Sequence, residues 1–357
     1  MINKVGLALV LSATAAMAEV PRVAVDIAPV HALVAQVMKG VGAPELIVPP
    51  GASPHGYALR PSQARSLSQA DAVVWVGPGL TPWLEGPLDA LAGDASQLVL
   101  MDVPQVLKLK VREGGGFQGH HHGDEGETGD HAGHDHDHDD HGPDDHGHDD
   151  HGHDDHAHDD HDHGDHAHDD HDHEGHDHAG TAHADHVDHT LDPHAWLAPE
   201  NAALWMLEIS VVLGALDPDN AVTYEANARD GAAALAGLTA DINTILEPVR
   251  GRPFVVYHDA YQYFERSFDM PATGSLSGGD AQPAGAARVA EIRDMVADAG
   301  VNCVMSEPQF NAGLVTAVGA AKTGVADPLG ASLEPRPALY GDVLRGLATS
   351  LAECLQD

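Results

Sequence analysis

The chain has 357 residues, of which 17 are Lys or Arg and 56 Asp or Glu, for a formal net charge of −39. So acidic a balance excludes a general nucleic-acid binder, which requires a basic footprint, and favours a cationic partner. With a leader and one His/Asp-rich tract set aside, about 270 residues remain, enough for two domains of ordinary size.

Met1 to Ala18 reads as a secretory signal peptide. Lys4 gives a short positive start, Val5 to Ala16 an apolar core, and Ala16-Met17-Ala18 a small-residue cleavage signal. Cleavage after Ala18 would leave a mature chain beginning at Glu19 in a bacterial periplasm. The apolar run is too short for a bilayer, and no later run reaches the roughly 20 residues required, which predicts an exported soluble protein.

Between Arg22 and Val103 short apolar runs alternate with amphipathic ones. The pattern predicts strands at Arg22 to Ile27, Glu45 to Val48, Asp71 to Val76 and Gln97 to Val103. Helices are expected at Val30 to Lys39, Pro61 to Gln69 and Pro82 to Leu91. Alternating β and α elements with short connections imply parallel strands and crossover helices, so this half is α/β.

The composition then changes. His120 to His189 holds 25 of the 29 histidines and 25 of the 56 acidic residues, with no Lys or Arg. Such a stretch cannot bury enough apolar surface to offset its ordering entropy, so residues 117–189 are read as a disordered loop. Units such as His151-Gly152-His153-Asp154-Asp155-His156 present imidazoles and carboxylates every one or two residues, which makes the loop a metal-binding tract. Imidazole suits Zn, Cu and Ni, whereas Ca and Mg prefer oxygen; the tract does not choose among the first three.

Beyond the tract, a helix is expected at Glu200 to Leu213, then an Ala-rich helix from Asp217 to Leu246 that would span about 40 Å and can pass from one domain to the next. The alternation resumes with strands at Pro253 to Tyr257, near Ala272, at Asn302 to Met305 and near Val325. Helices are expected at Ala260 to Ser267, Ala286 to Ala299, Leu314 to Thr323 and Tyr340 to Leu355.

Four histidines lie outside the tract: His31, His55, His194 and His258. His55 follows a strand and the Pro49-Pro50-Gly51 turn, His258 follows the strand Pro253 to Tyr257, and His194 sits in an Asp192-Pro193-His194 loop before a helix. Open α/β sheets bind ligands outside the carboxyl ends of their strands, so loops of two half-domains can bring three imidazoles together as a cation site. His31 begins a helix with Leu33, Val34 and Val37 on one face and reads as structural. In an exported chain the even pair Cys303 and Cys354 reads as a disulfide.

Longer motifs carry a resemblance. Pro50-Gly51-Ala52-Ser53-Pro54-His55-Gly56-Tyr57-Ala58-Leu59-Arg60-Pro61-Ser62, Asp71-Ala72-Val73-Val74-Trp75-Val76-Gly77, Asp192-Pro193-His194-Ala195-Trp196-Leu197, His258-Asp259-Ala260-Tyr261-Gln262-Tyr263-Phe264, Glu307-Pro308-Gln309-Phe310 and Asp327-Pro328-Leu329-Gly330 are similar to the ZnuA family, periplasmic zinc-binding components of bacterial ABC importers. The likeness covers nearly the whole mature chain, including the position of the tract. It implies an α/β fold of two lobes with parallel sheets flanked by helices, joined by one long rigid helix, plus the disordered His/Asp-rich loop. The N-terminal lobe would comprise residues 19–116 and 190–216, the linking helix 217–247 and the C-terminal lobe 248–357.

By the same resemblance His55, His194 and His258 would ligate Zn2+ in a cleft between the lobes, and Cys303 and Cys354 would match a disulfide of some relatives. Manganese-binding relatives complete their site with the Asp of the last motif, here Asp327; some zinc-binding members use an acidic residue where this chain has Pro54. The fourth position is thus open to water, Asp327 or a tract histidine. The implied partners are zinc, a membrane permease and a periplasmic metallochaperone, with the chain acting as a monomer and not as an enzyme. Three imidazoles and at most one carboxylate favour zinc over manganese. The readings kept beside this one are a manganese or iron carrier, a periplasmic zinc buffer, and a three-histidine zinc enzyme in which Glu265 or Asp259 serves as base.

Overall fold

The structure, a computed structural model, describes residues 20–112, 190–277, 285–308 and 318–356. The expected signal peptide and tract lie outside the described residues, as do positions 314–317 of the helix expected at Leu314 to Thr323.

Two four-stranded sheets form, and both are parallel throughout. The first contains β1 (Val23–Val25), β2 (Glu45–Leu46), β3 (Ala72–Trp75) and β4 (Ser96–Val99), in the order β2-β1-β3-β4. The second contains β5 (Phe254–His258), β6 (Gly274–Ser277), β7 (Cys303–Ser306) and β8 (Lys322–Val325), in the equivalent order β6-β5-β7-β8. Each sheet therefore reverses its winding beside its first strand, between β1 and β3 and between β5 and β7. That crevice is where parallel sheets take ligands.

Strand alternation sorts the core into layers. Val23, Val25 and Val74 on one sheet, and Phe254, Val256, Cys303 and Met305 on the other, belong to one continuous buried cluster. Their neighbours face outward: Ala24, Val73 and Trp75 pack on α2 (Pro61–Ser68) through Leu67, on α3 (Glu85–Leu91) through Leu88 and on Leu84 just before it, while Val255, Tyr257 and Val304 pack on α7 (Ala286–Asp298) through Ile292 and Val296. Both faces of each sheet are covered at its centre, which explains why the central strands β1, β3, β5 and β7 are apolar at nearly every position.

The shared core is filled by α1 (Ala28–Val37), α4 (Pro199–Leu216), α5 (Ala221–Leu246) and α8 (Leu339–Leu355). Helix α5 is 26 residues long and buries Tyr224, Ala228, Leu235, Leu238, Ile242 and Leu246, a 3- and 4-residue repeat that lays one stripe along the core. Gly231 lies on the same stripe. A Cβ there would stand 2.7 Å from Met206 Sδ and 3.0 Å from Gln36 Cγ, so glycine lets α1 and α4 close on α5. A disulfide, Cys303–Cys354, ties β7 to α8.

Several expected boundaries are corrected. The helix from Pro82 divides into a 3-10 turn, Pro82–Leu84, and α3. The strand expected to reach Val103 ends at Val99 and passes into a 3-10 turn at Leu100–Asp102. The long helix begins at Ala221, after a 3-10 turn at Pro218–Asn220 where Asp217 Oδ2 accepts from Asn220 Nδ2 and the Tyr224 hydroxyl, each at 2.8 Å. Lys322 and Thr323, expected at a helix end, pair with Cys303 and Val304 as the start of β8. The strand expected near Ala272 begins at Gly274.

Candidate metal centre

His55, His194 and His258 meet. One ligand atom from each lies within 4.8 Å of the others. The ring centroids of His194 and His258 are 5.0 Å apart, with His55 at 5.4 Å from the former and 6.1 Å from the latter. His194 and His258 are buried, and His55 is partly exposed. His31 stays apart in α1, its Nε2 3.1 Å from the Pro44 carbonyl, and burial holds its pKa below the usual histidine value.

Each imidazole is delivered by a different device. His55 rides the loop between β2 and α2, where Gly51 takes φ +82° and the Pro54 carbonyl accepts from Trp83 Nε1 at 2.6 Å. The loop closes on α2 through Gln63, whose Oε1 accepts from Arg60 N at 2.8 Å. His194 precedes a 3-10 turn, Ala195–Leu197, whose Trp196 donates from Nε1 to the Pro328 carbonyl at 2.9 Å. His258 is the last residue of β5, at the crevice beside β7.

Carboxylates set the two buried rings. Asp192 Oδ1 accepts from both the backbone N and Nδ1 of His194, at 2.9 and 2.7 Å, and Glu307 Oε1 lies 2.8 Å from His258 Nδ1. An acceptor at Nδ1 selects the tautomer with its proton there and aims the Nε2 lone pair at the neighbouring rings, the arrangement that orients histidine ligands. Asp192 and Glu307 are each 3% exposed. Two buried carboxylates beside three neutral imidazoles would complement the charge of one dication. Burial first, and the charge of Glu307 second, push the phenols of Tyr257 and Tyr261 above their usual pKa.

Asp327 stands outside the three-histidine group. Its Oδ1 accepts from Ala331 N at 3.0 Å, within the turn that follows β8. Asp259 and Glu265, the acids weighed as catalytic bases, both pair with Arg112. Burial pushes the Glu265 carboxyl up, and the Arg112 hydrogen bonds and charge oppose it. The orienting roles of Asp192 and Glu307, and the part played by Arg112, did not follow from the sequence. Glu307 is 49 positions from His258, and only the pairing of β7 with β5 brings them together.

The family model for the periplasmic component A of the zinc-uptake complex, ZnuA, matches residues 23–354. The chain belongs to the ZnuA family. It is 44% identical over 352 residues to the high-affinity zinc uptake system protein ZnuA of Paracoccus denitrificans (strain Pd 1222), covering 98% of this chain and 96% of that protein. The ZnuA of Brucella abortus (strain 2308) is 40% identical over 336 residues, 93% and 91% of the two chains. Among solved structures, a zinc-bound ZnuA deletion mutant superimposes with a TM-score of 0.64 at 20% identity, over 95% of this chain and 99% of that one. As a ZnuA-family member the chain is a solute-binding component of periplasmic zinc uptake.

Proposed function

We propose that His55, His194 and His258 capture Zn2+ as cargo, each through one ring nitrogen, with water as the fourth ligand and Asp327 remaining in its turn. The observation that carries this reading is the convergence of three imidazole ligand atoms within 4.8 Å, two of them on rings held by buried carboxylates. Three nitrogen donors suit a tetrahedral borderline ion better than manganese, which asks for more oxygen. Because a ligating imidazole must be neutral, zinc affinity falls as pH drops below the ordinary histidine pKa of about 6.5.

Ala18 marks the cleavage point, and the mature monomer works without catalysis, since Asp259 and Glu265 are committed to Arg112. Residues 19–116 with 190–216 form one lobe, 248–357 the other, and 217–247 the link. The core shared by both sheets favours small displacements of the lobes over a wide swing, and the loaded form presents zinc to a membrane permease. Residues 117–189 act as the accessory capture loop, and a periplasmic metallochaperone is a further partner.

Chelator-competition titration of the mature chain tests the site. One ion held tightly and lost in His194→Ala supports it; a tight ion that survives His194→Ala overturns it.

A further inference from the structure

Three charged side chains lie outside the three-histidine group, Glu265 buried and Arg112 and Asp259 largely so. Arg112, Asp259 and Glu265 have side chains 16%, 11% and 5% exposed. Arg112 Nε donates to both oxygens of Asp259, at 3.1 and 3.0 Å, and its Nη2 joins the same carboxylate. Nη1 and Nη2 also donate to Glu265, at 2.7 and 2.9 Å. Glu265 Oε2 accepts Ala272 N at 3.1 Å, just ahead of β6.

The three residues join two parts of the chain that each carry a histidine of the site. Arg112 ends a segment that pairs with the approach to His194: Lys110 bridges Leu191, Val111 N donates to the Thr190 carbonyl at 2.7 Å, and Asp192 N donates to the Leu109 carbonyl at 2.9 Å. Asp259 directly follows His258, and Glu265 lies in α6 (Gln262–Phe268). Further hydrogen bonds run alongside the ionic ones. Gln262 Nε2 donates to the Lys110 carbonyl at 2.9 Å and to Asp192 Oδ2 at 3.3 Å, and the Tyr263 hydroxyl donates to the Asp192 carbonyl at 2.9 Å. Asp192, the carboxylate that orients His194, is therefore fastened to the segment that begins at His258.

A buried ion cluster is a poor source of stability, since apolar groups of similar volume often do as well or better. What a guanidinium adds is geometry, because its planar fork fixes distance and direction to two carboxylates at once. We propose that Arg112 is a positioning residue for zinc capture, setting the separation of His194 and His258 through Asp259 and Glu265. The inference rests on the three-histidine reading.

The test uses the full mature chain. Arg112→Met alone strands two buried carboxylates, so it is paired with the charge-balanced variant Arg112→Met/Asp259→Asn/Glu265→Gln. Zinc Kd is read by chelator competition, the ligand field by the visible spectrum of bound Co2+, and folding by the Tm of the apo protein. The balanced variant is expected to melt cooperatively while its zinc Kd rises at least tenfold and its Co2+ spectrum shifts. A balanced variant with the Kd and spectrum of the unaltered chain overturns the positioning role, whatever its Tm. His194→Ala measured alongside separates the two claims: loss of the tight ion there, with an unchanged Arg112 variant, removes only the present inference, and absence of a tight ion in the unaltered chain removes both.

Discussion

Glu307→Gln isolates the charge that faces His258. The substitution keeps an oxygen within reach of Nδ1, now 2.8 Å from Glu307 Oε1, and keeps the shape of a side chain that is 3% exposed. What it removes is one negative charge about 6 Å across the imidazole from the ion, worth at most about 5.5 kcal/mol against a dication at an effective dielectric of about 20. Much of that is returned, because the carboxylate no longer has to be desolvated in the apo protein. The net expectation is the 10- to 100-fold loss typical of such orienting partners, about 1.4 to 2.7 kcal/mol. Chelator competition gives the zinc Kd, and scanning calorimetry gives the apo Tm, expected unchanged or higher because a buried charge has gone. A Kd within twofold of the unaltered chain, or a fall in affinity matched by a fall in apo Tm, would refute the electrostatic argument.

Trp83→Phe removes the bond from Nε1 to the Pro54 carbonyl that pins the His55 loop. One hydrogen bond contributes about 0.5–1.5 kcal/mol, so zinc should dissociate several-fold faster in stopped-flow release with little change in Tm. Asp26 spans the first sheet's crevice, accepting from Ile27 N and Val76 N at 2.8 Å each. Burial pushes its carboxyl from 3.8 up to about 7, and those backbone bonds oppose the rise. The folded state thus holds the proton more tightly than the unfolded one. Its contribution to stability is full below pH about 4 and is lost as pH rises through about 7, a change of as much as about 4 kcal/mol. Urea midpoints of Asp26→Asn should accordingly gain on the unaltered chain across that window; parallel pH profiles would contradict this. Replacing both Cys303 and Cys354 by Ser opens a 51-residue loop and should lower stability by about 4 kcal/mol in the chain-entropy model, read from denaturant unfolding.

The central strands β1, β3, β5 and β7 were legible because they are apolar at nearly every position, and the crossover helices because their apolar residues repeat every three or four. Local turn chemistry was less so. Pro82 and Leu100 fall in apolar runs that periodicity assigns to helix and strand, yet both enter 3-10 turns. The three site histidines were legible from their common placement after strands and loops. Their supports were not, because pairing decides them: Arg112 is 147 positions from Asp259, and neither residue carries a local signal that names the other. Asp327 shows the opposite limit. Its motif is plain in the sequence, but the backbone of its own turn takes up one of its oxygens.

Anomalous diffraction at the zinc edge from crystals of the loaded protein tests the central claim most directly. The strongest peak is expected about 2.0–2.1 Å from one nitrogen each of His55, His194 and His258. A strongest peak bound by any other set of side chains, or by fewer than three of these rings, would contradict it.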